Sequence, residues 1–322
     1  MNDVKYSVVI PAYNEEEVIE ESYRRLKEVM DSTGEPYELI FVNDGSHDTT
    51  LDKLRSFITV DSNVKMLSFS RNFGHQTAIT AGMDHASGDA ILIIDADLQD
   101  PPEVMLGMIE KWKAGYDVVY GKRLKREGET VFKTFTAKVF YRLLGALTDV
   151  DIPVDTGDFR LIDRRVCDTL KSMPERNRYV RGLISWVGYK QTAEEYVREE
   201  RFAGETKYPI KKMLKLASDG LTSFSYKPLR LSSVLGFLVI MLSVLYFLFI
   251  IIRNVVLEPN LSPLYTIAGF MFVLNGIVLM MIGILGEYIS RMSDESKARP
   301  LYIIAEKEGF DGDERGRDNR GA

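Results

Sequence analysis

The sequence predicts an α/β protein: a mainly parallel, Rossmann-like sheet, then amphipathic helices at a membrane surface, then a two-helix transmembrane hairpin. Three observations carry this reading. Short apolar runs alternate with helical patterns as far as Tyr120, two long stretches of the last hundred residues are uncharged, and basic amphipathic segments stand before the first of them. The 322 residues are 45% hydrophobic and 27% charged, averages that hide this uneven distribution and leave room for a sizeable core plus an accessory unit.

Ser7 to Ile10, Tyr37 to Val42, Val64 to Phe69, Ala90 to Ile94 and Asp117 to Tyr120 read as strands. Between them Val18, Ile19, Tyr23, Leu26 and Met30 recur at helical spacing, as do Val104, Met108 and Trp112. A βαβ series of this kind builds a parallel sheet buried on both faces. Ligands then bind outside the carboxyl ends of the strands. Every such end here is polar: Tyr13, Asn14 and Glu15 after the first strand, Asp44, Gly45 and Ser46 after the second, Arg71 and Asn72 after the third, Asp95 and Asp97 after the fourth, Lys122 and Arg123 after the fifth.

From Leu231 to Ile252 there are 22 residues without a charge, and from Leu261 to Gly286 there are 26. As helices these measure about 33 and 39 Å, against a hydrocarbon core of about 30 Å. Two spans are expected, the second tilted. Val131 to Leu147 and Ile210 to Phe224 are amphipathic with Lys or Arg opposite the apolar face, as interfacial helices are; packing against the soluble core is the competing reading. Residues Lys122 to Arg142 hold seven Lys or Arg against two Glu, and Lys207 to Arg230 six against one Asp. Such clusters suit anionic headgroups or a phosphorylated ligand, or an ordinary solvated helix face. The net charge of -6 argues against a general nucleic-acid binder. Cys167 is the single cysteine, so no intrachain disulfide or cysteine-based zinc site is expected. The start, Asn2 to Lys5, leads straight into a strand and shows no signal peptide. Lys211, Lys212, Lys215, Lys227 and Arg230 precede the first span and Arg291, Lys297 and Arg299 follow the second, whereas Arg253 to Asn260 holds one Arg and one Glu. The positive-inside tendency puts both termini in the cytoplasm.

Ile94-Asp95-Ala96-Asp97-Leu98-Gln99-Asp100-Pro101-Pro102-Glu103 is the most informative segment. Asp95 and Asp97, two apart at a strand end, can share a hard divalent ion that keeps positions open for substrate phosphates. Asp100 reads as a helix cap before Pro102. Asn14 can cap the first helix and Glu15, Glu16 and Glu17 complement its dipole. Asp44 is a turn or cap residue, or, at the edge of a nucleotide pocket, the acceptor of a ring N–H of uracil or guanine. Arg71 makes a surface ion pair or lies over a diphosphate. The tail after Gly309 is polar and reads as disordered.

Pro11-Ala12-Tyr13-Asn14-Glu15-Glu16, Asn43-Asp44-Gly45-Ser46, Ser70-Arg71-Asn72-Phe73-Gly74 and the Asp95 to Glu103 segment resemble the family 2 inverting glycosyltransferases with the GT-A nucleotide-diphospho-sugar transferase fold. Thr156-Gly157-Asp158-Phe159-Arg160, Gly286-Glu287-Tyr288-Ile289-Ser290-Arg291 and Lys297-Ala298-Arg299-Pro300-Leu301-Tyr302 resemble, more narrowly, the dolichyl-phosphate mannose synthase-like branch, the bacterial polyprenyl-phosphate glycosyltransferases. The resemblance spans about residues 5 to 304. It implies nucleotide-sugar contacts from Pro11, Tyr13, Glu15, Asp44, Arg71 and Asp95. It implies Mg2+ or Mn2+ held by Asp95, Asp97 and Gln99, and phosphate contacts from Arg123, Arg201 and Lys207. Asp97, Asp158 and Arg201 are the expected catalytic residues, Asp158 as an orienting residue, a sugar-hydroxyl contact or a general base; a capped turn before a helix near Asp163 is the structural alternative.

The domains expected are a catalytic unit over 1–206, juxtamembrane helices over 207–230, two spans over 231–288 and a cytoplasmic tail over 289–322. The expected activity is transfer of one sugar, glucose from UDP-glucose first, to polyprenyl phosphate at the cytoplasmic face of the inner membrane. UDP-N-acetylglucosamine, a modified arabinose donor and GDP-mannose are the other donors. A processive polysaccharide synthase is the rival enzyme, although no Gln-x-x-Arg-Trp motif follows the carboxylate pair. A non-catalytic membrane scaffold is the rival outside enzymes. The expected partners are the nucleotide-diphospho-sugar, the lipid phosphate, the membrane and a possible homo-oligomer, with no nucleic acid.

Overall fold

The computed structural model describes residues 4–124, 156–173, 175–176, 178–198, 236–239, 241–242, 244–246, 248–249 and 263–310. Two compact units divide the chain. The first carries β1 (Tyr6–Ala12), α1 (Ile19–Ser32), β2 (Tyr37–Asn43), α2 (Thr50–Val60), β3 (Val64–Phe69), α3 (His75–His85), β4 (Ala90–Ile93), α4 (Val104–Lys113), β5 (Val118–Arg123), β6 (Thr156–Asp163), α5 (Arg164–Ser172), α6 (Val180–Trp186) and β7 (Gln191–Tyr196). It also takes back β8 (Ile304–Glu308), after α7 (Pro263–Ser296) has belonged to the second unit.

Among the described residues the sheet has eight strands in the order β7-β5-β6-β4-β1-β2-β3-β8. Strands β1 to β5 and β7 run parallel, while β6 and β8 run against their neighbours. The central strands are apolar almost without interruption because helices cover both faces. Val8, Ile10, Leu39, Phe41, Met66, Leu92, Phe159 and Leu161 are all buried in one core cluster. Helix α1 turns Ile19, Ser22, Leu26, Val29 and Met30 to this core, the spacing of a single helical stripe.

The strand order reverses at β1, the kind of point at which open α/β sheets bind ligands. Tyr6 pairs with Tyr37 of β2 on one side and with Ala90 of β4 on the other, so the order switches direction at β1. Because β6 is antiparallel, it begins at the edge where the parallel strands end. Thr156, Gly157 and Asp158 therefore stand beside the residues that follow β4.

The five expected strands and both expected helices are present. The rest of the expected catalytic unit, after the fifth strand, contributes β6 and β7, and the expected tail over 289–322 contributes β8. Strand β8 lies antiparallel on β3, where Arg55 of α2 clasps Glu306 through Nε at 2.8 Å and Nη2 at 2.6 Å. Asp163 caps α5 by accepting the Arg165 amide at 2.9 Å, and Asp158 lies within β6, which removes it from the capped-turn reading.

In the second unit α7 continues to Ser296, beyond the uncharged run that ends at Gly286 and the expected end of the spans at residue 288. Residues 287–296 bring charge but neither Gly nor Pro, so the apolar run ends before the helix does. Among the described residues one helical stretch, Leu274–Ser296, is long and apolar enough to cross a membrane, and a shorter apolar one covers Gly236–Tyr246. The Tyr246 and Phe270 rings stack with centroids 5.2 Å apart. The segments Val131 to Leu147 and Ile210 to Phe224, with Arg201 and Lys207, lie outside the described residues.

Candidate active site

The turn after β1 is stitched to the turn after β2. Asn14 sits at a φ of 53°, its amide donates to Ser46 Oγ at 3.0 Å, and its side-chain oxygen accepts the His47 amide at 2.9 Å. The Glu15 amide donates to Thr50 Oγ1 at 2.9 Å, and the Glu16 carboxylate accepts from Thr49 Oγ1 at 2.7 Å. Asn14 is thus not the cap of α1, whose N-cap is Val18 with no side-chain bond. The pull of the neighbouring turn outweighs a cap worth about 1 kcal/mol. The Tyr13 ring meets His47 edge-on at 6.5 Å, and Pro11 lies within β1, paired in register with Val42.

Asp44, buried at the end of β2, accepts the amides of Phe73 at 2.6 Å and Gly74 at 2.9 Å. Burial pushes its pKa up against these bonds. Gly45 takes a φ of 67°, and a Cβ there would come within 2.4 Å of the Arg71 carbonyl carbon, so glycine alone fits. The Arg71 guanidinium lies 3.9 Å from the Phe73 ring centroid and donates to the Asn72 carbonyl at 2.9 Å.

The center of the edge is a cluster around Asp158, which is 6% exposed. Arg181 of α6 donates to it through Nε at 2.7 Å and Nη2 at 3.0 Å, Gln76 through Nε2 at 3.1 Å, and His75 lies with Nε2 at 3.2 Å. The same His75 nitrogen is 3.4 Å from Asp95 Oδ1. Burial opposes the charge on His75, but Asp95 and Asp158 outweigh it and lift the imidazole to about 9. Burial would likewise raise Asp158, yet Arg181 and His75 hold it well below the usual carboxylate range. Asp95 goes the other way, pushed up to about 6 by burial, with His75 opposing and Asp158, Asp97 and Asp100 adding repulsion.

Asp97 accepts the Gln99 amide at 3.2 Å across Leu98, whose φ is 56°. The buried Oδ1 of Asp95 accepts no hydrogen bond. A buried carboxylate oxygen that accepts no hydrogen bond, its near neighbour the His75 nitrogen at 3.4 Å, among further carboxylates, fits a divalent cation. Among the described residues no group of three or more His, Cys, Asp or Glu has metal-holding geometry. Asp95, Asp97 and the amide oxygen of Gln99 would therefore hold an ion together with oxygens from a ligand, as Mg2+ and similar ions are held beside phosphates.

Asp100 is not a helix cap. Glu103 is the N-cap of α4, and the Asp100 carboxylate, 1% exposed, turns to β5 and β7 instead. It accepts from Tyr196 Oη at 2.5 Å and Arg123 Nη2 at 3.2 Å, with Arg198 Nε at 3.4 Å. A Cβ on Gly157 would meet Arg123 Nη2 at 2.6 Å, so this glycine makes room for the guanidinium. Asp95 and Asp158 are thus brought together through His75, Asp44 reaches the loop of Arg71, and Arg123 is drawn to Asp100. Sequence reasoning missed His75, Gln76, Arg181, Tyr196 and Arg198. The position of His75, at the start of the helix after the third strand, was the one local signal.

A mostly parallel sheet whose carboxyl edge gathers paired carboxylates, arginines and a turn over a buried Asp is the GT-A fold expected from the sequence. Two family models match the chain, Glycosyl transferase family 2 over residues 7–171 and the GtrB C-terminal hairpin over residues 227–292. The chain belongs to glycosyl transferase family 2 and is an enzyme that transfers glycosyl groups. It is 57% identical to an uncharacterized glycosyltransferase, YkcC, of Bacillus subtilis, covering 96% of this chain and 95% of that one. It is 43% identical to the bactoprenol glucosyl transferase of Shigella phage SfV, covering 94% of this chain and 98% of that one. Among solved structures, glucosyl-3-phosphoglycerate synthase from Mycobacterium tuberculosis, in complex with Mn2+, UDP and glucosyl-3-phosphoglycerate, aligns with a TM-score of 0.46 at 21% identity over 68% of this chain and 78% of that one.

Proposed function

We propose that this chain transfers glucose from UDP-glucose, with inversion, to a polyprenyl phosphate at the cytoplasmic face of the inner membrane. The observation that carries the reading is the 43% identity to a bactoprenol glucosyl transferase over 94% of this chain. The match of residues 227–292 to a C-terminal hairpin supports two antiparallel spans, as does the packing of Tyr246 on Phe270. With both termini cytoplasmic, the catalytic unit faces the nucleotide-sugar pool.

The acceptor oxygen attacks the anomeric carbon, and the nucleoside diphosphate leaves with the electrons of the bond that breaks. A phosphate monoester, with a second pKa of about 6, is already largely a dianion at neutral pH, so no base is required. Asp158 suits that requirement: ionised and gripped by Arg181 and His75, it orients sugar or partner groups and is a weak proton acceptor. Asp95, Asp97 and Gln99 would hold Mg2+ or Mn2+, which would supply charge neutralisation of the donor diphosphate. Pro11, Tyr13, Glu15, Asp44 and Arg71 line the donor side, and Arg123, Arg201 and Lys207 serve the phosphates.

Purified full chain, given undecaprenyl phosphate, Mn2+ and either UDP-glucose, UDP-N-acetylglucosamine or GDP-mannose, is expected to form a glucosyl lipid from the first alone. Transfer from another donor replaces the sugar assignment. Donor hydrolysis without lipid product overturns the acceptor.

A further inference from the structure

The segment Lys297-Ala298-Arg299-Pro300-Leu301-Tyr302 has no part in the site described so far. It brings Tyr302 to the end of β3, just before β8 begins. The Tyr302 ring stacks on Phe69 with centroids 5.2 Å apart and an interplanar angle of 17°, and its hydroxyl donates to Asp84 Oδ2 on α3 at 3.0 Å. Phe69 in turn meets Phe73 edge-on at 5.6 Å. The next residue, Ile303, accepts the Ser70 amide at 3.0 Å.

The loop Arg71 to Gly74 is therefore fastened from two sides. From β2, Asp44 holds the Phe73 and Gly74 amides and Gly45 lies directly under the Arg71 and Asn72 backbone. From the returning C-terminal segment, Tyr302 backs the aromatic pair on which Arg71 rests. The edge of β3 is already covered by the β8 ladder and by the Arg55–Glu306 clasp, so closing the sheet does not call for the stack.

We infer that Tyr302 is a positioning residue for the donor nucleotide, holding Phe69 and Phe73 so that Arg71 keeps its place. The inference rests on the reading of Asp44 and Arg71 as donor contacts. It also ties the donor loop to the strand that follows α7, a link no local motif expresses.

The test uses the full chain in detergent with Mn2+, and takes as probe whichever of UDP and GDP the wild type binds. Tyr302→Leu removes stack and hydrogen bond, while Tyr302→Phe and Asp84→Ala remove only the bond. The nucleotide Kd and the donor KM are expected to rise about tenfold in Tyr302→Leu and about threefold in the other two. The acceptor KM and kcat stay within about twofold of wild type. Equal Kd in all variants overturns the inference, as does a fall in kcat with both KM values unchanged, the mark of a merely structural loss. If Tyr302→Leu does not fold, the Tyr302→Phe and Asp84→Ala pair decides, and wild-type affinity in both sinks it. Arg55→Gln, which loosens β8 without touching the stack, lowers the melting temperature and leaves donor KM unchanged; a rise equal to that of Tyr302→Leu assigns the effect to the whole strand and overturns the role of Tyr302. A wild type that binds neither nucleotide overturns the donor-site reading itself, and the inference with it.

Discussion

The two edges of the parallel sheet both bury acidic side chains, and they treat them in opposite ways. At the amino edge Glu38, 1% exposed, accepts from Ser7 Oγ at 2.5 Å and from Ser87 through its amide at 2.7 Å and hydroxyl at 2.8 Å, and pairs with Lys65 at 2.5 Å. Burial alone would raise its pKa, but Lys65 and the two serines win and lower it. At the carboxyl edge Asp95 is raised to about 6, because burial acts there together with three neighbouring carboxylates and only His75 opposes. Glu38 is held by partners that the fold itself supplies. Asp95 Oδ1 accepts no hydrogen bond and has the His75 nitrogen beside it only at 3.4 Å, whereas Lys65 closes on Glu38 at 2.5 Å. One edge is tied down by partners within the fold, and the other is the edge of the proposed donor site.

The sharpest way to break this contrast is Asp97→Asn. If the carboxyl edge needs a cation, loss of one ligand carboxylate leaves the donor diphosphate poorly neutralised, and transfer falls by about three orders of magnitude or more while the thermal melt stays near wild type. Near-normal turnover with Mn2+ or Mg2+ in Asp97→Asn would remove the ion from this site.

Asp100 lies at the same edge but behaves like Glu38, and Asp100→Asn tests where the border falls. As a helix cap the substitution would cost about 1 kcal/mol. As the shared carboxylate of Arg123, Arg198 and Tyr196, all partly or wholly buried, its neutralisation takes from two guanidinium groups the counter-charge they have among the described residues. A loss of about 3 kcal/mol is expected, read as a drop of several degrees in melting temperature. A drop no larger than a cap's would return Asp100 to its local role.

What was legible follows from the range of the interactions involved. Strands such as Val64–Phe69 and helices such as Val104–Lys113 rest on local periodicity, and their places were readable. So was the carboxyl edge, because a parallel sheet sends every strand end to one side and the polar residues there announce themselves. Strands β6 and β8 were not readable. β6 slips between β4 and β5, and Ile304 of β8 pairs with Phe69 across the whole of α7. The partners of Asp158 come from α3 and α6, elements that nothing in the Thr156–Arg160 motif specifies. Asp100 misled because its neighbours Pro101 and Pro102 carry the composition of a helix start, while its side chain obeys a tertiary demand from β5 and β7.

The smallest effect sharpens the contrast from the stable edge. Glu38→Gln keeps the shape but puts an amide where Lys65, Ser7 and Ser87 all require an acceptor, so a loss of about 2 kcal/mol is expected at pH 7. Activity per folded molecule should be unchanged, since Glu38 lies at the opposite edge of the sheet from the proposed donor site. The loss should also depend on pH in one direction. The folded pKa of Glu38 is lowered from its ordinary value of 4.5, so its contribution is fully present above that value and disappears as pH falls through the folded one. The gap in melting temperature between wild type and Glu38→Gln is therefore expected to be constant from pH 8 to about pH 5 and to shrink below that. A gap that widens toward acid would mean that Glu38 is protonated in the folded chain. The two edges would then hold their carboxyl groups alike.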